Sequence, residues 1–399
     1  MSITIVGAGI AGTSCAIALT KWMQEPPDIT ILEIRSKPQT IGGAIGLTPN
    51  AVRALHHLDV LKHIQEHRFG NSVGSIQLFN VYTASSLGAI SFTGPDGNGI
   101  GDPPFKGLRI LRSELLDALM RTAKALPNVK IQFGIDITTF TEHAEGVTIG
   151  FTNVRSLHVE PDRKPTYTGI AGVSGFSQVP GGVHLSWEDT GLCQSTSGSL
   201  LCSYFEPSRT KQFLGAVMET EDVKSKEGWY AAGREQEVLK ARVEKAYLSG
   251  DVKMPGVSKL VKASHGWSLW PVYTLPPKGT WSTKRTILIG DAAHAMPPQG
   301  ESAGIALEDS IVLGRVFSRL IDSSEEKISS CFAAYERLRR PRVDEAYAQS
   351  TWGWSTQKDS GWLMFQFRCW LTWIFLPWTA KSRAIRHAED LATKDLGLE

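Results

Sequence analysis

The sequence is short of several things, and each shortage excludes a class of protein. Net charge is close to nil: 42 Lys and Arg against 40 Asp and Glu leave +2 over 399 residues. There is thus no electrostatic case for a nucleic-acid partner. The one basic run, Arg337, Arg339, Arg340 and Arg342, reads as a solvated helix face rather than a phosphate-binding patch. Cysteine is scarce, and Cys15, Cys193, Cys202, Cys331 and Cys369 form no C-x-x-C pair. An odd, scattered set fits reduced thiols in a cytoplasmic compartment better than a disulfide framework. No histidine falls beside cysteine or carboxylate at a metal-ligand spacing, so no metal is expected. A basic leader followed by a cleavable apolar run is missing, because residues 2–6 already read as a core strand. The final Gly-Leu-Glu is no Ser-Lys-Leu type of address. Internal repeats and low-complexity stretches are missing too.

Long apolar runs are also rare. The longest, residues 362–378, is broken by Gln366, Arg368, Thr372 and Pro377. A span wants about 20 predominantly apolar residues and tolerates a central arginine badly. A docked helix is therefore the first reading, peripheral membrane contact the second, and a span the last.

What is present is glycine, 38 residues of it, and enough length for two or three domains. Residues 3–6, 11–23 and 29–34 read as strand, helix and strand, a βαβ unit. Residues 42–47 read as a glycine-rich loop. A helix carrying Ala51, Leu55, Leu58 and Leu61 follows, capped by Thr48 or Asn50. Another runs from Arg112 to Leu126 with Ser113 as its cap. Residues 135–152 form a hairpin, and 73–92, 168–191 and 199–218 supply strands for a second sheet. Residues 286–289 read as a late, buried strand. Helices are expected over 303–320 and 329–340, the second stopped near Pro341.

The opening turn is the strongest signal. Gly7-Ala8-Gly9-Ile10-Ala11-Gly12 fills G-x-G-x-x-G between strand and helix. Gly7 permits the tight turn, Gly9 admits a pyrophosphate close to the backbone, and Gly12 lets the helix pack on the sheet. The helix start then offers unpaired N–H groups to phosphate. Glu33, about 20 residues further on, is placed to accept from a ribose diol and to disfavour a 2′-phosphate.

Up to that point FAD and NAD fit equally well. The deciding feature is Gly290-Asp291 at the end of the 286–289 strand, followed by a helix beginning at Gly300. A dinucleotide as long as FAD spans the sheet and needs a second anchor. Asp291 can bond a ribityl hydroxyl, and the next helix N-terminus can face the flavin's pyrimidine end.

The pieces GAGIAG (7–12), LEIR (32–35), GLTPNAVRAL (46–55), LRILRSELL (108–116) and GDAAHAMPPQGESAGIALEDS (290–310) occur in order along most of the chain. With them the chain resembles the group A FAD-dependent aromatic hydroxylases, such as salicylate hydroxylase, in their fungal secondary-metabolism branch. The resemblance implies a mixed α/β fold like that of 4-hydroxybenzoate hydroxylase. A Rossmann-like FAD domain (1–72, 105–160, 280–345) would interleave with a β-sheet substrate domain (73–104, 161–279), and 346–399 would be a helical tail. It implies cofactor contacts by Gly7, Gly9, Gly12, Glu33, Arg35, Arg112, Asp291, Gly300 and Gly304, with residues 298–304 along the flavin ring. His294 is read as structural, and no catalytic side chain is assigned. The aromatic residues Trp187, Tyr204, Phe205, Phe213, Trp267, Trp270 and Tyr273 are read mainly as core.

The implied reaction uses NADPH or NADH and O2 to hydroxylate or epoxidise an aromatic, polyketide-like or terpenoid-like small molecule. One motif of the resemblance is missing, a strand ending in Asp-Gly, for which the chain runs directly from Asn153 to Val154. A splicing or gene-boundary error, an altered relative and a misalignment all account for it. Two alternatives therefore stand beside the oxygenase: a flavin oxidoreductase without oxygen insertion, and a non-catalytic flavoprotein.

Overall fold

The structure is a computed structural model that describes all residues except 41, 144, 152–158, 161, 180, 182–183, 298–299, 356–358 and 399. The junction Asn153–Val154 lies outside the described residues. The first strand, β1 (Ser2–Val6), pairs in parallel with β2 (Asp28–Glu33) across the helix α1 (Ile10–Trp22). The strand Val129–Phe133 extends the sheet on the far side of β2. Parallel neighbours need such a crossover, and α1 supplies it. It is buried from Gly12 to Leu19 because the helix Ser302–Phe317, itself buried along most of its length, lies against it. A helix apolar on all sides is stable only when enclosed in this way.

A second sheet has seven strands, in the order 264–274, 166–178, 211–219, 198–204, 190–195, 75–80, 86–91. Its neighbours are antiparallel except 190–195 with 75–80. The helices Gln236–Leu248 and Val257–Lys262 cover one face, where Trp187 and Trp267 are buried. The mixed α/β fold is the expected one.

Several local expectations give way. Ala44–Leu47 is not loop but a strand paired with Gly107–Leu111, so main-chain pairing overrides the glycine content. Residues 286–289 join no sheet and make only an isolated bridge, Ile287 with Ser282. They line the same cleft as β1, so the buried strand expected there is the wall of a cleft instead. The helix over residues 51–61 is two, Pro49–His57 and Val60–Glu66, split at Asp59 in a left-handed conformation. The helix Arg112–Lys124 is not capped by Ser113; Glu114 reaches back to accept from the Leu111 N–H at 3.2 Å. The helix Glu325–Ser355 runs through Pro341. Proline removes one N–H there without ending the helix, because packing on its flanks outweighs one lost bond.

The segment 362–378 is one helix, Trp362–Trp378, lying on the strand Ser86–Ser91. Among the described residues, no helix is long and apolar enough to cross a membrane. The next helix, Ala380–Ala388, folds back onto Pro49–His57. There the buried Arg53 guanidinium donates to the carbonyls of His387 (3.0 Å) and Ile100 (2.5 Å). His387 itself is buried edge-on against Phe92. Burial pushes its imidazole down to about 4, and Arg386, Arg383 and Arg342 act in the same direction against Glu301. The ring is thus neutral in the fold, whereas the unfolded chain takes up its proton near pH 6.5. Stability is full above that pH and is expected to fall by about 3 kcal/mol as pH drops to 4. Urea unfolding across this range should show the decline, and His387→Leu should flatten it.

Candidate cofactor site

The glycine turn has the geometry its spacing demands. Gly7 sits at φ +98° and donates to the Leu32 carbonyl at 2.8 Å, tying the turn to β2. A Cβ on Gly12 would lie 2.0 Å from the Gly7 carbonyl oxygen, so any side chain there would push α1 off the turn. The first turn of α1 holds no acidic residue, which leaves its N–H groups facing an electropositive opening. Glu33 is buried at the end of β2. Its carboxylate accepts from the Ala8 N–H (2.9 Å) and the Arg35 N–H (3.0 Å), with the Arg35 guanidinium 3.5 Å away. Two oxygens carry more lone pairs than these donors use, so acceptor capacity remains.

A cleft of about 970 Å³ starts at this turn. It is lined by Gly7, Gly9, Gly12, Glu33, Arg35, Arg112 and Asp291 together, and by Ala303 at the start of the Ser302–Phe317 helix. The volume is at the upper end of the roughly 300–1,000 Å³ typical of small-molecule sites. Arg112 opens its helix, and its guanidinium has no partner among the described residues; Glu114 faces Leu111 instead. Asp291 opens the short helix Asp291–His294 and is exposed to the cleft. Gly300 and Gly304 do not line the cleft. Gly300 forms an exposed left-handed turn, and Gly304 packs against Ala51, where a Cβ would come within 2.9 Å. Pro298 and Gln299 lie outside the described residues.

Behind the cleft is a buried polar cluster that sequence reasoning missed. Asp309, fully buried, accepts from the Gly290 N–H (3.1 Å), from His294 Nε2 (2.7 Å) and from Arg339 Nε (2.8 Å). Arg339 also donates to Glu308 (2.9 Å), which accepts from Asn50 Nδ2 (2.6 Å). Burial alone would raise the Asp309 carboxyl, but His294 and Arg339 hold it at about 2. Of the arginine run only Arg337 is exposed as a solvated residue. Arg339 is buried in this cluster, Arg340 lies 4.4 Å over the Trp281 ring, and Arg342 pairs with Glu301 at 2.7 Å. The legible signal was Glu308-Asp309 in the apolar stretch IALEDSIVL. His294 is structural, though its partner is a carboxylate.

A second buried cation, Arg109, has no carboxylate within ion-pair distance among the described residues and donates from Nε to Ser203 at 3.2 Å. Burial lowers it to about 10. The expectation that no histidine meets carboxylate at ligand spacing is corrected at one place. His63, Glu66 and His67 bring one ligand atom each within 4.8 Å on the outside of the helix Val60–Glu66, and none of them lines the cleft. Of the aromatic set, Trp187, Phe205, Phe213 and Trp267 are buried, whereas Tyr273 is exposed with its hydroxyl on Asp222.

Two substitutions test this arrangement. Gly12→Ala should weaken FAD binding by more than about tenfold, read by titration against protein fluorescence. Arg339→Leu strands two buried carboxylates and should cost about 3–5 kcal/mol in urea unfolding.

Comparison with known proteins places this geometry. No family model matches the chain. An FAD-dependent monooxygenase of Nectria sp is 26% identical over 371 residues, covering 87% of this chain and 82% of that protein. Among solved structures, a salicylate hydroxylase substrate complex superposes with a TM-score of 0.72 at 19% identity, covering 99% of this chain and 98% of the other. CtdE in complex with FAD and a substrate gives 0.71 at 18% identity, over 91% and 90%. The chain is a homologue of the FAD-dependent monooxygenases and has the fold of salicylate hydroxylase.

Proposed function

We propose that the chain is an FAD-dependent monooxygenase that uses NADPH or NADH and O2 to oxygenate an aromatic or unsaturated small molecule, in a fungal secondary-metabolic route. One observation carries the reading. A single cleft is lined together by the glycine turn, Glu33, the unpartnered Arg112, Asp291 and the start of the Ser302–Phe317 helix. That donor set fits an extended dinucleotide: N–H groups and a cation for phosphates, carboxylates for sugar and ribityl hydroxyls. When bound, FAD supplies the redox chemistry that no side chain can.

The chain's own residues do the placing. The start of α1 would receive the pyrophosphate, and Glu33 would accept from the ribose hydroxyls. Arg112 would neutralise phosphate charge, and Asp291 would hold the ribityl chain. The start of the Ser302–Phe317 helix, free of acidic residues in its first turn, would stabilise negative charge on the reduced ring. Roles in binding are likewise proposed for Arg35, Gly300 and Gly304. The proposed domain division sets 73–104 and 161–279 as the substrate side.

A cytoplasmic site agrees with five unbridged thiols. Peripheral contact of residues 362–378 with a membrane is proposed too, on the exposed aromatic residues of that segment.

A non-catalytic flavoprotein is the second reading. It is favoured by the outer edge of β1, which no described strand pairs and where Val6 is 47% exposed. Turnover with candidate phenols under isotope-labelled O2 separates the two. The proposal expects reductant consumption and one labelled oxygen atom in the product. Reductant consumption without labelled product would instead indicate an oxidoreductase, and flavin uptake without consumption a non-catalytic chain.

A further inference from the structure

The helix Trp362–Trp378 is half covered. Phe365 and Cys369 are buried against the seven-stranded sheet, beside Leu78 and Leu87. Much of its apolar surface faces outward: Leu363 (84% exposed), Trp378 (77%), Phe367, Trp370, Trp373 and Phe375. At about 100° per residue these side chains spread over more than half the helix circumference. Elsewhere on the described surface the exposed large apolar residues stand singly or in the neighbouring helix, as Ile385 does. Isolated ones are ordinary, but a contiguous set of this size marks an interaction site.

We infer that this face docks on an anionic lipid surface, with the helix lying in the plane of the interface. The inference rests on the membrane contact proposed above and specifies its residues and its lipid. Three observations favour lipid over a protein partner. First, the exposed arc is a broad convex ridge, which mobile acyl chains can wrap. A rigid partner would need a matching groove. Second, its composition is that of an interfacial segment: tryptophans at both ends and in the middle, with an amphipathic ring at each. Third, residues 361–388 contain Arg368, Lys381, Arg383 and Arg386 and no Asp or Glu. Arg386 is engaged by Glu345 at 2.8 Å. Lys381 is exposed next to Trp378, and Arg383 is half-buried beside it. Cations beside inserted aromatic residues are attracted to acidic headgroups. The helix does not span: its 17 residues reach about 26 Å, short of the roughly 30 Å hydrocarbon core, and one side is committed to the sheet.

The test is co-sedimentation of the full chain, with FAD present, on phosphatidylcholine vesicles with and without about one-third phosphatidylserine. The wild type should pellet with the anionic vesicles. Phe367→Ser/Trp370→Ser/Trp373→Ser changes only exposed positions and should lower partitioning at least tenfold with an unaltered circular dichroism spectrum. Lys381→Glu/Arg383→Glu should remove the preference for anionic vesicles. Equal binding of the wild type to both vesicle types would overturn the anionic assignment while leaving membrane contact standing. A wild type that stays in the supernatant would overturn both. So would a dimer in light scattering that the triple variant dissolves without any vesicle binding, since a second copy would then cover the face.

Discussion

A carboxylate removed from water is expensive, by several kcal/mol even after the protein relaxes around it, and it persists only where donors surround it. Asp309 is such a group. It collects the Gly290 N–H and the His294 ring from one short segment and the Arg339 guanidinium from the helix Glu325–Ser355. Its helix, Ser302–Phe317, makes further polar ties. Ser310 hydroxyl meets Ser14 of α1 at 2.7 Å, and Glu308 receives Asn50 from the helix Pro49–His57. One buried helix thereby fixes the glycine turn's helix, the Gly290-Asp291 turn and the long C-terminal helix relative to each other. The glycine turn and the Gly290-Asp291 turn share this support, so their relative placement is set by packing and not by loops alone.

That arrangement suits chemistry carried by a bound cofactor. The protein supplies orientation and fixed charge, and the reactivity comes with the cofactor. On the proposed reading, two helix starts without acidic residues in their first turns, an unpartnered Arg112 and two carboxylates, Glu33 and Asp291, would complement the phosphate and hydroxyl pattern of a long dinucleotide. The cleft also reaches along β1, whose outer edge carries no strand among the described residues. The cofactor side of the molecule is accordingly more open there than a sheet interior would be.

The parts read correctly from sequence are those where one residue type has one physical use. Gly12 cannot be anything else against the Gly7 carbonyl, and a strand–turn–helix with Glu33 at the next strand end has few other meanings. The parts misread depend on partners far along the chain. Residues 42–47 looked like loop because their glycines carry no strand preference, and only pairing with Gly107–Leu111 makes Ala44–Leu47 a strand. Residues 286–289 looked like an inner strand because they are apolar, yet apolarity does not distinguish a sheet from the wall of a cleft. Arg339 looked solvated because charge pattern says nothing of Asp309 thirty residues upstream. Pro341 marked no boundary, since tertiary packing carried the helix past it.

The central claim is that one dinucleotide of FAD length is held in this cleft by both the glycine turn and Asp291. Equilibrium dialysis of the purified chain against FAD and NAD+ in parallel tests it most directly. The account predicts uptake of one FAD per chain, with NAD+ unable to displace it at comparable concentration. A folded chain that retains NAD+ and leaves FAD in solution would contradict it.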